Sequence, residues 1–315
     1  MEKQNNIKLI EKYQQINMIT SHIRNLTVFF LLDNQDFLLK HQKIDSVYIY
    51  DFINLNQKLK IKLEKGASSI SKMKKNKILI GSFNENYNLK IIELKDKNSK
   101  YEILCMLTYK NNPVISSIEL SNEMIAFSNN LGEIYLLDKK SEKEYVKNKI
   151  IKEEEGNDNI LLYELPNKEI MGFSFKNKGL IFWGNNNFSF IKSLQGFDIN
   201  KMGRQNISIL NDSLLGFIIN KKVKIIDYIN KQIVDSINVE ATCIYTLNDK
   251  SVILGVIEYE NDYIHYQFLQ YQLNENKLKL ISKKENAQGN EVDFIIQNKN
   301  GNILSSSNNN IKIFN

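Results

Sequence analysis

Seven short stretches of alternating apolar residues recur along the chain, and each closes on one defined residue. They read SVYIYD (46–51), LKIIE (89–93), EIYLLD (133–138), GLIFWG (179–184), VKIID (223–227), HYQFLQYQ (265–272) and IKIFN (311–315). Their last residues lie 42 to 46 residues apart, so the chain repeats with a period of about 44 residues. A period of about 40–50 residues built on short strands is typical of a β-propeller, in which each period forms one blade.

Seven such periods account for nearly all 315 residues, so the sequence predicts an all-β fold with a single seven-bladed propeller and no second domain. The expected blades cover residues 20–65, 66–110, 111–156, 157–199, 200–240, 241–288 and 289–315. The seventh stretch has no strand after it, whereas IKLIEKY (7–13) has the pattern of an outer strand. We therefore predict that residues 7–13 complete the last blade and close the ring, which removes open strand edges. The alternative is a disordered tail over residues 1–20.

Each period divides into four predicted strands, a to d, which the second period shows most clearly. They are SSISKM (68–73), KILIGSF (77–83), NLKIIEL (88–94) and YEILCMLT (101–108). Polar clusters that favour turns separate them. Strands a are nearly continuous in apolar residues, which predicts burial on both faces, and strands d carry the charge expected of an outer edge. Residues 139–156 have a helical composition, but their place in the repeat predicts a strand over Glu144–Ile151 and a loop at Glu153–Glu155.

Composition argues against several classes of protein. The net charge of +6 comes from 42 basic and 36 acidic residues without a dense basic stripe, so we do not expect a nucleic-acid partner. The polar start MEKQNN is not a secretory signal, and the longest aliphatic or aromatic run, VFFLL (28–32), is too short to span a membrane. Cys105 and Cys243 lie in apolar runs, which predicts buried free thiols and a cytoplasmic location.

Residues with catalytic or metal-binding chemistry are few. The three histidines are His22, His41 and His265, and none has metal-ligand spacing to a cysteine or another histidine. The sequence has no nucleophile elbow, P-loop or dinucleotide fingerprint, although a spatial Ser-His-Asp arrangement stays open. Trp183, the only tryptophan, reads as a core residue. We therefore expect no metal, no cofactor and no enzymatic activity.

The closing pairs of the seven stretches resemble the Trp-Asp ending of WD40 repeats. They are Tyr50–Asp51, Ile92–Glu93, Leu137–Asp138, Trp183–Gly184, Ile226–Asp227, Tyr271–Gln272 and Phe314–Asn315. The resemblance covers the whole chain through its period and its b–c hairpins. The family's Gly-His pair before strand a is missing, and Asn130 replaces the acidic residue of one b–c turn. The chain thus resembles a divergent WD40-like propeller, held by apolar packing rather than by the family's Asp–His–Ser–Trp network.

The resemblance implies a platform that presents loops on a rigid disc to proteins or peptides. In WD40 geometry the b–c and d–a loops share one face. The candidate contact residues there, assigned by position, are His41, Asn84, Asn129, Lys176, Lys221, Tyr259 and Asn309. We expect a non-enzymatic protein–protein interaction scaffold, a subunit of an intracellular assembly. The alternatives are a propeller enzyme with a polar site at the central channel mouth, and a protein that binds nucleic acid or a membrane surface through its lysines.

Overall fold

A computed structural model describes the chain in thirteen ranges. These are residues 11–12, 26–41, 45–63, 66–83, 88–95, 100–108, 113–152, 160–184, 188–195, 205–260, 263–285, 290–307 and 310–314. They contain 28 strands in seven four-stranded antiparallel sheets, and no helix in these ranges could cross a membrane. The all-β expectation is confirmed.

The first three complete sheets follow the order of the predicted blades. Blade 1 contains β2 (Leu26–Leu31), β3 (Phe37–His41), β4 (Ser46–Tyr50) and β5 (Gln57–Lys62). Blade 2 contains β6 (Ala67–Met73), β7 (Lys77–Ser82), β8 (Leu89–Lys95) and β9 (Lys100–Leu107). Blade 3 contains β10 (Val114–Glu119), β11 (Ile125–Asn129), β12 (Glu133–Ser141) and β13 (Glu144–Lys152). The predicted strand at Glu144–Ile151 is therefore present as β13, and Glu153–Glu155 lie outside the described residues.

Three further sheets repeat this arrangement. Blade 4 contains β14 (Ile160–Glu164), β15 (Ile170–Ser174), β16 (Gly179–Trp183) and β17 (Phe190–Leu194). Blade 5 contains β18 (Ile207–Ile209), β19 (Leu214–Ile219), β20 (Lys222–Asp227) and β21 (Gln232–Ile237). Blade 6 contains β22 (Glu240–Thr246), β23 (Val252–Glu260), β24 (Tyr263–Asn274) and β25 (Lys277–Lys284).

The two ends of the chain share the seventh sheet. Blade 7 contains β26 (Phe294–Gln297), β27 (Ile303–Ser307), β28 (Asn310–Phe314) and the N-terminal β1 (Glu11–Lys12). In its antiparallel register Glu11 lies opposite Phe314 and Lys12 opposite Ile313. The predicted closure by an N-terminal strand is thus confirmed. Of the predicted residues 7–13, only 11–12 are described, and the others lie outside the described residues.

Apolar packing between neighbouring blades holds the ring together. Each of the seven buried apolar clusters combines residues from two consecutive sheets. One of them joins Phe37 and Leu39 of blade 1 to Leu304 and Ile313 of blade 7, so the ring is closed through its core. Trp183 is 2% exposed in the cluster between blades 3 and 4, which confirms its prediction as a core residue.

The closing pairs of the repeat have a common structural place. In blades 1 to 6, the pairing of strand c with strand d contains a register shift beside the first residue of the closing pair. Such a β-bulge strengthens the local twist of a strand. Two of the closing aspartates then cap the c–d turn. Asp51 Oδ1 accepts N–H bonds from Ile53 and Asn54 (both 2.9 Å), and Asp227 Oδ1 does the same in blade 5.

Candidate functional site

The alternation of strands places the connections of every blade on two opposite faces of the disc. The b–c turns and d–a loops lie on one face, which we call the b–c face, and the a–b and c–d turns lie on the other, the a–b face. Backbone hydrogen bonds link segments of the b–c face, and two of them are examples. Phe83 N–H donates to Gly66 O in blade 2 (2.8 Å), and Ala241 N–H donates to Lys221 O between blades 6 and 5 (2.7 Å).

Three of the predicted contact residues have surface on the b–c face. Lys176 is exposed in the turn between β15 and β16, Lys221 is half-buried in the turn before β20, and Tyr259 in β23 is 61% exposed. His41 is the last residue of β3. Its side chain, together with Asn84 and Asn309, lies outside the described residues, so these three stay predictions.

Asn129 offers no surface to a partner, contrary to its prediction as a contact residue. Its side chain has no exposed surface and instead holds the b–c turn of blade 3. Its Oδ1 accepts hydrogen bonds from the backbone N–H groups of Leu131 (3.0 Å) and Glu133 (2.9 Å). Asparagine is favoured in turns because its amide can satisfy backbone groups two residues away, and this local role explains its presence.

The structure pairs Lys221, one of the predicted contact residues, with Glu240 of the next blade. Lys221 Nζ bonds Glu240 Oε2 at 2.9 Å. This bond with Glu240 is the main cause that raises the pKa of Lys221, and Tyr259 adds to the rise. The b–c turn of blade 5 therefore meets the start of strand a of blade 6 through a charged pair.

That hairpin of blade 6 extends beyond its neighbour. In blade 5 the outermost pair of the hairpin is Ile219 with Lys222, and Lys222 lies five residues before the closing Asp227. In blade 6 the pairing continues to Glu260 opposite Tyr263, nine residues before Gln272. The four additional positions carry the hairpin about 14 Å further out than that of blade 5, at roughly 3.4 Å per residue.

Large apolar side chains are exposed at six positions on the b–c face, whereas the described turns of the opposite face expose two, Ile53 and Ile229 in c–d turns. On the b–c face they are Phe83 (53%), Leu131 (42%), Phe175 (41%), Tyr259 (61%), Tyr263 (72%) and Ile264 (51%). All seven a–b turns are described, and none of them carries an exposed large apolar residue. Sequence reasoning missed five of the six residues. The signal that could have found them is an aromatic or aliphatic residue within an otherwise polar segment after strand b.

The a–b face is built differently, from polar links between neighbouring turns. Residues at the end of strand a accept a hydrogen bond from a backbone N–H in the preceding blade. In these bonds the N–H of Lys74 donates to Glu119 (2.7 Å), that of Ser121 to Glu164 (2.9 and 2.8 Å) and that of Asn248 to Gln297 (2.7 Å). Between blades 4 and 5, the turn carries Pro166, which has no N–H, and the equivalent strand end is the apolar Ile209.

Metal-binding groups do not converge in the part of the chain that is described. No three histidine, cysteine, aspartate or glutamate side chains lie close enough there to hold an ion together. Cys105 and Cys243 are buried free thiols, as predicted. Burial raises the pKa of both thiols, which makes them poor nucleophiles near neutral pH.

Solved structures with the same architecture include two lyases and a WD40 domain. A streptogramin B lyase is 12% identical (TM-score 0.67; 94% of this chain and 95% of that chain covered). A catalytically inactive virginiamycin B lyase from Staphylococcus aureus, solved with quinupristin, is 12% identical (TM-score 0.65; 97% of this chain and 99% of that chain covered). The WD40 β-propeller domain of Doa1 is 13% identical (TM-score 0.63; 94% of this chain and 94% of that chain covered). No family model matches the chain, and no curated sequence is similar to it.

The lyases overturn the expectation that the chain has no enzymatic activity. That prediction is wrong: it rested on the repeat architecture and on the scarcity of catalytic residues, and two solved propellers of the same architecture are lyases. The likeness to the WD40 domain likewise shows shared architecture, not a shared family. At 12–13% identity these neighbours establish one conclusion, which is that the chain is a seven-bladed β-propeller.

Proposed function

We propose that this protein is a divergent WD40-like propeller that binds a partner protein on its b–c face, as a subunit of a cytoplasmic assembly. The observation that carries the proposal is the group of six exposed apolar side chains on the b–c face, against two, Ile53 and Ile229, in the described turns of the opposite face. Phe83, Leu131, Phe175 and the tip of the blade 6 hairpin present such groups on the b–c face. Exposed apolar groups that share one face and have polar neighbours mark protein interaction sites.

The hairpin of blade 6 supplies the strongest contact surface in this proposal. Tyr259 and Ile264 lie directly opposite each other on its two strands, so both side chains project from the same side of the hairpin. Each is more than half exposed. Tyrosine is enriched among the residues that dominate binding energy, because it combines a large apolar ring with a hydroxyl.

Polar groups surround these apolar side chains in the way that interfaces arrange them. The Lys221–Glu240 pair lies at the base of the hairpin, and Glu258 in the hairpin pairs with Lys283 (2.9 Å). An apolar centre with a polar rim is the usual composition of a protein interface. The rigid ring keeps these groups in fixed positions, so little conformational entropy is lost when a partner binds.

The proposal is tested by purifying the tagged chain from its native source with its bound proteins. The binding variant is Tyr259→Ser with Ile264→Thr. Its matched control is Ile53→Ser with Ile229→Ser. These two residues lie in c–d turns of the other face, where Ile53 is 68% exposed and Ile229 is 48% exposed. We expect a stoichiometric partner that the control retains. The hairpin variant should bind this partner at least tenfold more weakly, which corresponds to a loss of about 1.4 kcal/mol of binding free energy.

Two results would contradict the proposal. One is a wild-type chain that is recovered without a stoichiometric partner. The other is a partner that stays bound to the hairpin variant and to a second variant, Leu131→Ser with Phe175→Ser, but is lost from the control. Thermal unfolding of every variant ensures that a lost partner reflects the surface and not the fold.

A further inference from the structure

A cavity lies at the a–b end of the central channel, on the face opposite the proposed partner surface. It has a volume of about 370 Å³ and is formed where strands a of blades 2 to 5 end. The lining residues are Ser71, Lys72, Ile118, Glu119, Leu162, Tyr163, Glu164, Ile207, Ser208 and Ile209. Small-molecule sites have volumes of about 300–1,000 Å³ and combine apolar walls with a few fixed polar groups, and this cavity has both.

Two carboxylates of the lining are held in place by the backbone of neighbouring blades. Glu119 and Glu164 are the last residues of β10 and β14. Glu119 Oε2 accepts the N–H of Lys74, and both oxygens of Glu164 accept the N–H of Ser121. These bonds fix the orientation of the two carboxylates before any ligand arrives, which is the preorganisation that a binding site requires.

The lining does not balance this negative charge. Its one lysine, Lys72, forms an ion pair with Asp33 of blade 1 (2.7 Å). Burial raises the pKa of Glu119, and the lysines near it only partly oppose that rise. A cation placed between Glu119 and Glu164 would therefore compensate charge that the lining leaves uncompensated.

The remaining lining indicates an organic rather than a metallic cation. Ile118, Leu162, Ile207 and Ile209 supply apolar wall, which suits carbon chains or rings. Within the described residues no third metal-ligating side chain joins the two glutamates. The hydroxyl oxygen of Ser71, also in the lining, is buried without a hydrogen-bond partner in the described structure and can serve a polar ligand group.

We propose that the channel-mouth cavity binds a small organic cation, an ammonium or guanidinium group on an apolar stem. Charge-assisted hydrogen bonds to Glu119 and Glu164 hold the cationic head, and the isoleucine and leucine side chains hold the stem. The same chemistry occurs in a free amine and in the side chain of a lysine or arginine on a peptide. The site is independent of the b–c face, so the two proposals can fail separately.

Calorimetric titration of the full chain tests this site. The probes are cadaverine as a free amine, a blocked lysine peptide, the uncharged 1-pentanol and Mg²⁺. We expect saturable binding of at least one ammonium probe and none of pentanol or Mg²⁺. In Glu119→Gln and in Glu164→Gln the affinity falls about tenfold, because a charged hydrogen bond becomes a neutral one. Which ammonium probe binds more tightly distinguishes a free amine from a peptide side chain as the source.

Both variants keep the links between the blades, because a glutamine oxygen still accepts the backbone N–H bonds. The matched control is Glu123→Gln, an a–b turn glutamate outside the lining that pairs with Lys139 at 2.7 Å. Its charge acts on Glu119 without belonging to the lining, so we expect it to change the affinity by less than twofold. Saturable binding that is equal in all three variants overturns the proposal, as does tighter binding of Mg²⁺ or pentanol. The absence of ammonium binding at millimolar concentration overturns it as well.

Discussion

Single side chains on the a–b face join neighbouring blades through charge. Glu142, in the c–d turn of blade 3, bonds the buried Lys77 of blade 2 and also Lys139 (2.8 Å). The bonds with Lys139 and Lys77 lower the pKa of Glu142 to about 2. In the unfolded chain this carboxyl group has an ordinary pKa near 4.5. Because the folded pKa is the lower one, Glu142 stabilises the fold above pH 4.5 and loses this effect as the pH falls towards 2.

The first prediction concerns this pH dependence. At pH 7, Glu142→Gln should lower the melting temperature, because the neutral amide does not compensate the charges of Lys77 and Lys139. The difference from the wild type should shrink below about pH 4.5 and vanish below pH 2, where the wild-type carboxyl also becomes neutral. Calorimetric melting curves across this range measure it, with the exposed Glu260→Gln as control. A difference that stays constant or grows in acid contradicts the assignment.

At the residue scale, the sequence predicted packing better than contacts. Trp183 and the two cysteines are buried as expected, because an apolar residue in an apolar strand has one dominant place. Asn129 was misassigned because an asparagine after strand b can either face a partner or hold its own turn, and the sequence does not distinguish them. The link between Glu119 and Lys74 was missed because it joins two blades and has no signal within a single repeat.

At the scale of elements, the period located the strands and the local chemistry set their ends. In blade 2, all four strands begin and end within one residue of their predicted bounds. The a–b turns repeat one solution, in which an Asn or Asp side chain accepts the N–H of the residue two positions later. Asn122 with Met124 and Asp249 with Ser251 are examples. This turn chemistry is local, so it is readable from the sequence.

The second prediction tests close packing inside one blade. A methyl group on Gly172 in β15 would lie 2.6 Å from the Trp183 ring and 2.8 Å from Ile160 Cγ2. Gly172→Ala should therefore lower the free energy of unfolding by about 1–3 kcal/mol, the typical cost of overpacking. Denaturant titration measures this loss.

A double-mutant cycle shows whether the tryptophan ring is the cause. Trp183→Phe removes the ring atoms that the new methyl would meet, so Gly172→Ala should cost less in the Trp183→Phe background than in the wild type. Equal costs in both backgrounds would show that the ring does not limit the space at Gly172.

At the scale of the whole molecule, architecture does not decide function. The period predicted seven blades and the shared last blade, because both follow from counting. The exclusion of enzymatic activity failed because lyases and a WD40 domain have the same ring. Both candidate surfaces combine residues of several blades: the channel-mouth cavity takes Ser71, Glu119, Glu164 and Ser208 from four consecutive sheets. A single sequence does not reveal which residues of different blades lie side by side, because this depends on the register of the sheets.

Both candidate surfaces depend on a closed ring, and the ring closes where β1 pairs with β28. Lys12 and Ile313 lie directly opposite each other in that pairing. Lys312, the residue before Ile313, is not the register partner of Lys12, and its side chain lies on the other face of β28 from that of Ile313, because successive residues of a strand alternate. Directly opposed residues have the Cα separation that a disulfide accepts.

Disulfide formation therefore measures the closure directly. The test compares Lys12→Cys with Ile313→Cys against the control Lys12→Cys with Lys312→Cys, each oxidised at low protein concentration. The native Cys105 and Cys243 are buried and do not interfere. Mapping of non-reduced peptides by mass spectrometry should find an intramolecular bond between positions 12 and 313 in most molecules, and little between 12 and 312. Absence of the 12–313 bond, or equal yields of the two bonds, would contradict the shared last blade.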